Sequence, residues 1–249
     1  KGVTRQVVAS LPFSPPSLSE QRRIAAILDQ TDAIRTKRRQ ALAHLDSLPR
    51  ALLAEIVASP ETTFQPLTEV TVTNSGGTPD RKRADYYGGS IPWVKSGELH
   101  HDSITFTEES LTPAGLAGSS AKLFPKGTVV MAMYGATAGV VSRLGIDAAT
   151  NQAICAFQPR SNIRETYLMW ALRAQTQSLL FRRTGGAQPN LSQATIQAFP
   201  IPVPPLSAQL EFEQKILKIA TLRGVVKQCF SHEDQLFASL QSRAFKGEL

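Results

Sequence analysis

Residues 2 to 57 recur, without a gap, as residues 190 to 245 at one constant offset of 188 positions. At that offset eleven positions are identical: Pro12, Pro16, Leu18, Ser19, Gln21, Arg35, Gln40, His44, Asp46, Leu48 and Leu52. Apolar residues between them also correspond, Val8 with Ile196, Leu11 with Phe199, Ile24 with Phe212, Leu28 with Ile216 and Ile34 with Leu222. Self-similarity at a fixed offset marks a duplicated structural element. Two copies of one element therefore flank a single unrepeated segment.

Each copy begins with a proline-rich stretch, Leu11 to Pro16 and Phe199 to Pro205. Proline fixes its own φ and biases the residue before it toward extended backbone, so helix starts only where the prolines stop. Ser17 with Glu20 matches a capping box, and Ser207 supplies the cap oxygen of the second copy. Beyond the caps a seam can be traced at alternating spacings of three and four, its large apolar residues interrupted by Thr31, Arg38 and Ala41 in the first copy and by Cys229 and Glu233 in the second. The seam runs through Ile24, Leu28, Ile34, Leu45, Leu48 and Leu52 in the first copy, and through Phe212, Ile216, Ile219, Leu222, Val226, Leu236 and Leu240 in the second. That is heptad periodicity, which predicts long helices. The first is expected from about Ser19 to Val57, roughly 60 Å long, with a kink or a split at Pro49. Packed along their seams, the two helices must run antiparallel, with the middle segment at one end of the rod. The first sixteen residues match the stretch Asn190 to Pro204 and not the start of any domain. They predict the tail of a further domain upstream of Lys1, or completion of the copies by a second chain.

The chain has 249 residues, a net charge of +7 and a pI near 9.6. That balance points to acidic partners, nucleic acid first. The charge is spread along the chain, so binding must come from a shaped face and not from bulk charge. Apolar residues make up 42% and charged residues 19%, which excludes wholesale disorder. There is no run of eighteen apolar residues and no leader pattern, so a cytoplasmic location is expected. Cys155 and Cys229 form neither a disulfide framework nor a CxxC pair, and both read as small core residues.

Between Phe64 and Pro204 the pattern is mixed. Strands are predicted over Phe64 to Thr71, Ser90 to Lys95, Gly127 to Tyr134, Gly139 to Arg143 and Gln152 to Phe157, with one helix from about Arg164 to Arg183. Five stretches stand out in order: Gly76-Gly77-Thr78-Pro79; Tyr86 to Leu99 (YYGGSIPWVKSGEL); Ala149-Thr150-Asn151-Gln152-Ala153; Gly185-Gly186-Ala187-Gln188-Pro189-Asn190-Leu191; and Pro204-Pro205-Leu206-Ser207-Ala208-Gln209. With the flanking repeat, they resemble the specificity subunits of type I restriction-modification systems, in particular a target recognition domain followed by its spacer helix. Arg243 to Leu249 is similar to the usual end of the second spacer.

The resemblance implies an α+β chain, a mixed α/β target recognition domain attached to a long two-helix antiparallel coiled coil. The expected divisions are 1–16, the tail of a missing recognition domain; 17–59, the first spacer helix; 60–204, the recognition domain; and 205–249, the second spacer helix. It also implies a non-catalytic reader of one half of a split double-stranded DNA site. Such a reader docks methyltransferase subunits and, through them, restriction subunits. A second copy of the chain is a further partner if the natural protein is half-length. No cofactor, metal or membrane is implied. The alternatives are the recognition part of a fused restriction-modification enzyme whose catalytic domain lies elsewhere, and a coiled-coil adaptor with no DNA role.

Base edges are read by donors and acceptors, and phosphates by cations, hydroxyls and free N–H groups. On that chemistry the DNA-contact candidates are Thr78, Arg81, Lys82, Arg83, Lys95, Ser96, Tyr134, Thr137, Arg182 and Arg183. The plain readings stand beside them: a solvated charge run near Asp80 and Asp85, a simple hairpin at Tyr134 to Thr137, and ordinary helix termination at Arg182 and Arg183. Trp93 reads as core, and His100-His101-Asp102 as a surface turn. The basic run Arg35, Lys37, Arg38 and Arg39 reads equally as a solvated helix face or as a contact for DNA phosphate or a methyltransferase subunit. Phosphate-loop, nucleophile-elbow, HExxH and methyltransferase motifs are absent from the sequence, which assigns any chemistry to partners.

Overall fold

The computed structural model describes residues 4–5, 17–100, 102–182 and 190–246, except for the side chains of Phe230, 231–234, Leu236 and 244–246. In chain order, helix α1 (Leu18–Val57) is followed by β1 (Thr63–Pro66), the short helix α2 (Leu67–Val70) and β2 (Thr71–Ser75). Then come β3 (Tyr87–Val94), β4 (Ser103–Ile104), β5 (Glu109–Leu111), α3 (Pro113–Ala117) and β6 (Leu123–Phe124). Strands β7 (Val129–Ala132), β8 (Val141–Leu144), β9 (Ala148–Thr150) and β10 (Ile154–Pro159) lead to α4 (Glu165–Leu180), α5 (Gln193–Gln197), β11 (Pro200–Val203) and the long helix α6 (Leu206–Lys246). The chain divides into two compact units, residues 48–217 and residues 1–47 with 218–249.

In the larger unit, β2, β10, β7, β8 and β4 form a five-stranded sheet, β5, β3, β9 and β6 a four-stranded one, and β1 pairs with β11. Strand β10 sits between β2 and β7, antiparallel to both. Its first four residues, Ile154 to Phe157, are all buried, which explains their unbroken apolar run: a strand covered on both faces has no polar side to alternate with. The main core gathers Val129, Met131, Phe157, Tyr167, Leu168, Leu172 and Ile201 with Leu53 and Phe212 from the two long helices. The ends of α1 and α6 therefore belong to this unit. Gln209, fully buried, accepts the Arg164 N–H at 2.8 Å and donates to the Asn162 and Pro204 carbonyls at 3.1 and 2.9 Å. Tyr167 stacks edge-on against Phe212 at 5.8 Å and donates to the Pro202 carbonyl.

In the smaller unit a half-buried stripe runs along α1 through Ile24, Ile27, Leu28, Thr31, Arg35, Arg38, Leu42 and Leu45, and along α6 through Arg223, Val226, Phe237 and Leu240, with Ile219 buried at its start. It departs from the spacing read in the sequence at Ile34 and Leu222, which are 41% and 53% exposed. Arg35 and Arg223 take their place. A long aliphatic stem covers apolar surface as well as a branched residue does, while its charged head reaches outward. The Arg35 guanidinium lies 4.5 Å over the Phe237 ring, and Arg223 Nε lies 2.7 Å from Asp46 Oδ1. Leu52 and Ile216 pack on the core of the larger unit, and Leu48 is half-buried there. The side chain of Leu236 lies outside the described residues.

Other expectations are corrected. Helix α1 begins after Ser17, whose Oγ accepts the Glu20 N–H at 3.3 Å, and it continues through a buried Pro49 without splitting. The second helix starts at Leu206, so Ser207 is inside its first turn. The stretch Phe64 to Thr71 is not one strand: α2 interrupts it, because Leu67 N–H donates to Phe199 and Thr71 Oγ1 to Leu67. Strands β4, β5, β6 and β9 occupy stretches read as loop. Cys155 is buried, with its thiol pushed up to about 12 by desolvation, whereas Cys229 is exposed and not in a core. No helix among the described residues is long and apolar enough to cross a membrane.

Candidate nucleic-acid interface

The glycines of the first motif are architectural. A Cβ on Gly76 would stand 2.2 Å from the Thr150 carbonyl oxygen, and one on Gly77 would stand 2.3 Å from the Ala121 nitrogen. Gly77 N–H donates to Thr150 at 2.9 Å, and the Gly77 carbonyl accepts Trp93 Nε1–H at 3.1 Å. Two motifs far apart in sequence are thus pressed together, with the Trp93 ring, 1% exposed, behind them.

The turn Asn151 to Ala153 is the junction. Thr78 Oγ1 donates to Gln152 Oε1. Asn151 N–H donates to Val94 at 2.9 Å, beside Lys95 and Ser96, and the Ala153 carbonyl accepts Met133 N–H at 2.8 Å, beside Tyr134. Of the residues singled out in the sequence, Thr78 touches this turn with its side chain, Lys95 and Tyr134 each follow a residue whose backbone contacts it, and Ser96 lies one residue further along. Gln152 is exposed among them. It carries both a donor and an acceptor, the pair that a base edge such as adenine's requires. Its motif was visible in the sequence, but nothing there marked Gln152 as the meeting point.

The cations nearby are not solvated free charges. Arg81 binds Glu109, with Nη1 2.5 Å from Oε2, and its guanidinium lies 4.7 Å over Tyr87 and 4.9 Å over Trp93. Lys95 Nζ lies 2.8 Å from Glu108 and 3.0 Å from Glu109. The hydrogen bond from Arg81 holds the Glu109 carboxyl below its ordinary range, and Lys95 adds to this. The Lys95 ammonium is raised, chiefly by Glu108. Arg83 makes two bonds to Asp85, at 2.9 and 2.7 Å, and stacks over Tyr86. Lys82 is exposed, and its N–H donates to Asp80 Oδ1. Neither Glu108 nor Glu109 was read from the sequence as part of this face, since both lie in a stretch with no strand signal.

Ser96 opens a single 3-10 turn, Ser96–Glu98. Tyr134 is half-buried against the main core, and burial raises its phenol. The loop after it closes through Val140 N–H to the Thr137 carbonyl at 2.9 Å. Gly135 and Gly139 both have positive φ, which suits glycine. Arg182 is held elsewhere, over the Phe199 ring at 4.8 Å. Arg183, His101 and residues 185–189 of the fourth motif lie outside the described residues. Asp102 accepts from Arg173 Nη1 at 2.7 Å. Among the described residues no cluster of His, Cys, Asp and Glu is placed to hold a metal.

The family "Type I restriction modification DNA specificity domain" matches residues 61–221. The EcoR124I/EcoR124II specificity subunit of Escherichia coli is 24% identical over 182 residues, covering 71% of this chain and 45% of that protein. The MjaIX specificity subunit of Methanocaldococcus jannaschii is 28% identical over 176 residues, covering 69% and 40%. The chain thus spans less than half the length of either relative. Among solved structures, the HsdS subunit of Thermoanaerobacter tengcongensis superposes with a TM-score of 0.67 at 20% identity, over 100% of this chain and 64% of that one. A chain from a structure on complex assembly and conformational transition of the type I R-M system reaches 0.72 at 19% identity, over 94% and 61%. The mixed sheet-and-helix fold is therefore shared with those chains, and the protein described here belongs to the family of type I restriction-modification specificity subunits.

Proposed function

We propose that this chain is a non-catalytic DNA reader, in which residues 60–204 recognise one half of a split duplex site. Residues 17–59 and 205–249 act as spacers that pair antiparallel and set the distance to the other half. Methyltransferase subunits dock on the assembly and bring restriction subunits with them. The expected tail of a further recognition domain, residues 1–16, lies outside the described residues apart from 4–5. The observation that carries the reading is the bond from Thr78 to exposed Gln152, on a turn that also makes backbone contacts to Val94 and Met133, the residues before Lys95 and Tyr134. An amide, hydroxyls and one ammonium thus occur on neighbouring loops, the mixture that base and phosphate contacts use. The antiparallel spacer pair is supported by contacts that run in opposite order, 35 with 237 and 46 with 223.

The test is selection of bound duplexes from random DNA, using the chain reconstituted with its methyltransferase subunit. Enrichment of a split site supports the reading. Binding that is absent, or that does not weaken with salt, removes it, because phosphate contacts make DNA affinity fall steeply with salt.

A further inference from the structure

The two carboxylates that hold Lys95 are not equivalent. Glu109 is one-third exposed at its side chain, opens β5 and binds Arg81 and Lys95 together. Glu108 is 69% exposed, and its Oε2 meets the same ammonium at 2.8 Å. An exposed ion pair ordinarily contributes little, because two long side chains must be ordered to form it. Here the backbone does part of that ordering. Glu98 accepts the Lys95 N–H on Oε2 at 2.6 Å and the Glu108 N–H on Oε1 at 2.8 Å. One carboxylate thus clamps the main chain of the cation and of its counter-ion, and the Lys95 side chain is only 28% exposed.

Phosphate contacts carry no sequence information. A lysine open to any phosphate strengthens binding to every duplex alike. A lysine already occupied by a carboxylate engages a phosphate only when other contacts hold the DNA long enough to displace that group. We propose that Glu108 is a specificity-determining residue of this surface, a resident counter-ion that withholds Lys95 from the backbone of non-target DNA. The proposal rests on the DNA-reading function.

The experiment measures binding of the full chain to a random-sequence duplex, and to the split-site duplex enriched by the selection, across a salt series, for wild type, Glu108→Gln, Lys95→Gln and the double variant; an equal gain on both duplexes overturns the proposal. Glu108→Gln is expected to bind the random duplex about fivefold tighter, the effect of one unit charge across ~4 Å of water. It should also steepen the slope of log affinity against log salt, by less than the ~0.9 of a whole added phosphate contact because Glu109 still lies 3.0 Å from the ammonium. The double variant is expected to match Lys95→Gln, since the gain needs the lysine. No change in Glu108→Gln overturns the proposal. So does a gain that persists without Lys95, which is general charge removal, and so does a loss of affinity, which makes Glu108 a base contact. A wild-type chain that binds no duplex at any salt brings down the DNA-reading function itself, a result distinct from those four.

Discussion

Asp46 Oδ1 lies 2.7 Å from Arg223 Nε, joining the first long helix to the second. Both residues occupy duplicated positions, and the counterpart of Arg223 in the first copy is Arg35, which crosses to Phe237. The two equivalent arginines therefore reach the opposite helix from equivalent places. With side chains 32% and 54% exposed, the ion pair itself contributes on the order of 0.2–1 kcal/mol. Its larger effect is on register, because a slip of one turn separates the charges. Asp46→Arg or Arg223→Asp alone is expected to lower the urea midpoint more than the alanine changes do. The exchanged pair is expected to recover most of the loss, with a coupling of about 0.5 kcal/mol or more in a double-mutant cycle. Zero coupling excludes a stabilising pair.

Gln209 makes all three of its side-chain bonds to backbone groups inside the core. Gln209→Leu keeps the volume but leaves an N–H and two carbonyls without a partner. Each such buried group costs ~1–3 kcal/mol, so a loss of about 3 kcal/mol in chemical denaturation is expected. A loss below about 1 kcal/mol means that water replaces the amide.

Two glycines of neighbouring loops should behave oppositely. Gly77→Ala puts a methyl 2.3 Å from backbone atoms of Ser120 and Ala121, and forced overpacking of this kind costs roughly 1–3 kcal/mol or more. Gly97→Ala meets nothing within 4 Å and is expected to stay within about 0.5 kcal/mol of wild type. Thermal melting of both variants reads the contrast, and equal melting points contradict the close packing of Gly77 on Ser120 and Ala121.

Acid should act on the network of Arg81, Lys95 and Glu109. The Glu109 carboxyl is lowered, first by its bond from Arg81. A carboxyl lowered on folding adds stability that is fully present above its unfolded value, about 4.3, and is lost as pH falls through the folded value. Glu109→Gln is therefore expected to flatten the stability curve of the chain below about pH 4.3, and to leave its shape near neutrality unchanged. Parallel acid limbs in wild type and variant contradict the assignment.

Much of the helical part was legible because its signals are local. The prolines, Ser17 and the heptad spacing place α1 within a residue of its observed limits. The phase of the stripe was legible only in part. Apolarity stood in for burial, so Ile34 was chosen over Arg35, although an arginine stem packs well when its head has a partner such as Phe237. Trp93 was legible as core, yet the Gly77 carbonyl that satisfies its indole was not, since sixteen residues and a turn separate them.

The duplicated element and the helix limits follow from local rules of chain geometry, which act over a turn or two and are written into neighbouring residues. The loops' relations to one another do not. The parallel pairing of β3 with β9, the meeting of Thr78 with Gln152 and the occupation of Arg81 and Lys95 by Glu108 and Glu109 join segments from thirteen to more than seventy residues apart. Such contacts form only when the whole core closes and brings those segments within reach. A charge that looks available along the chain is therefore spoken for in the folded protein.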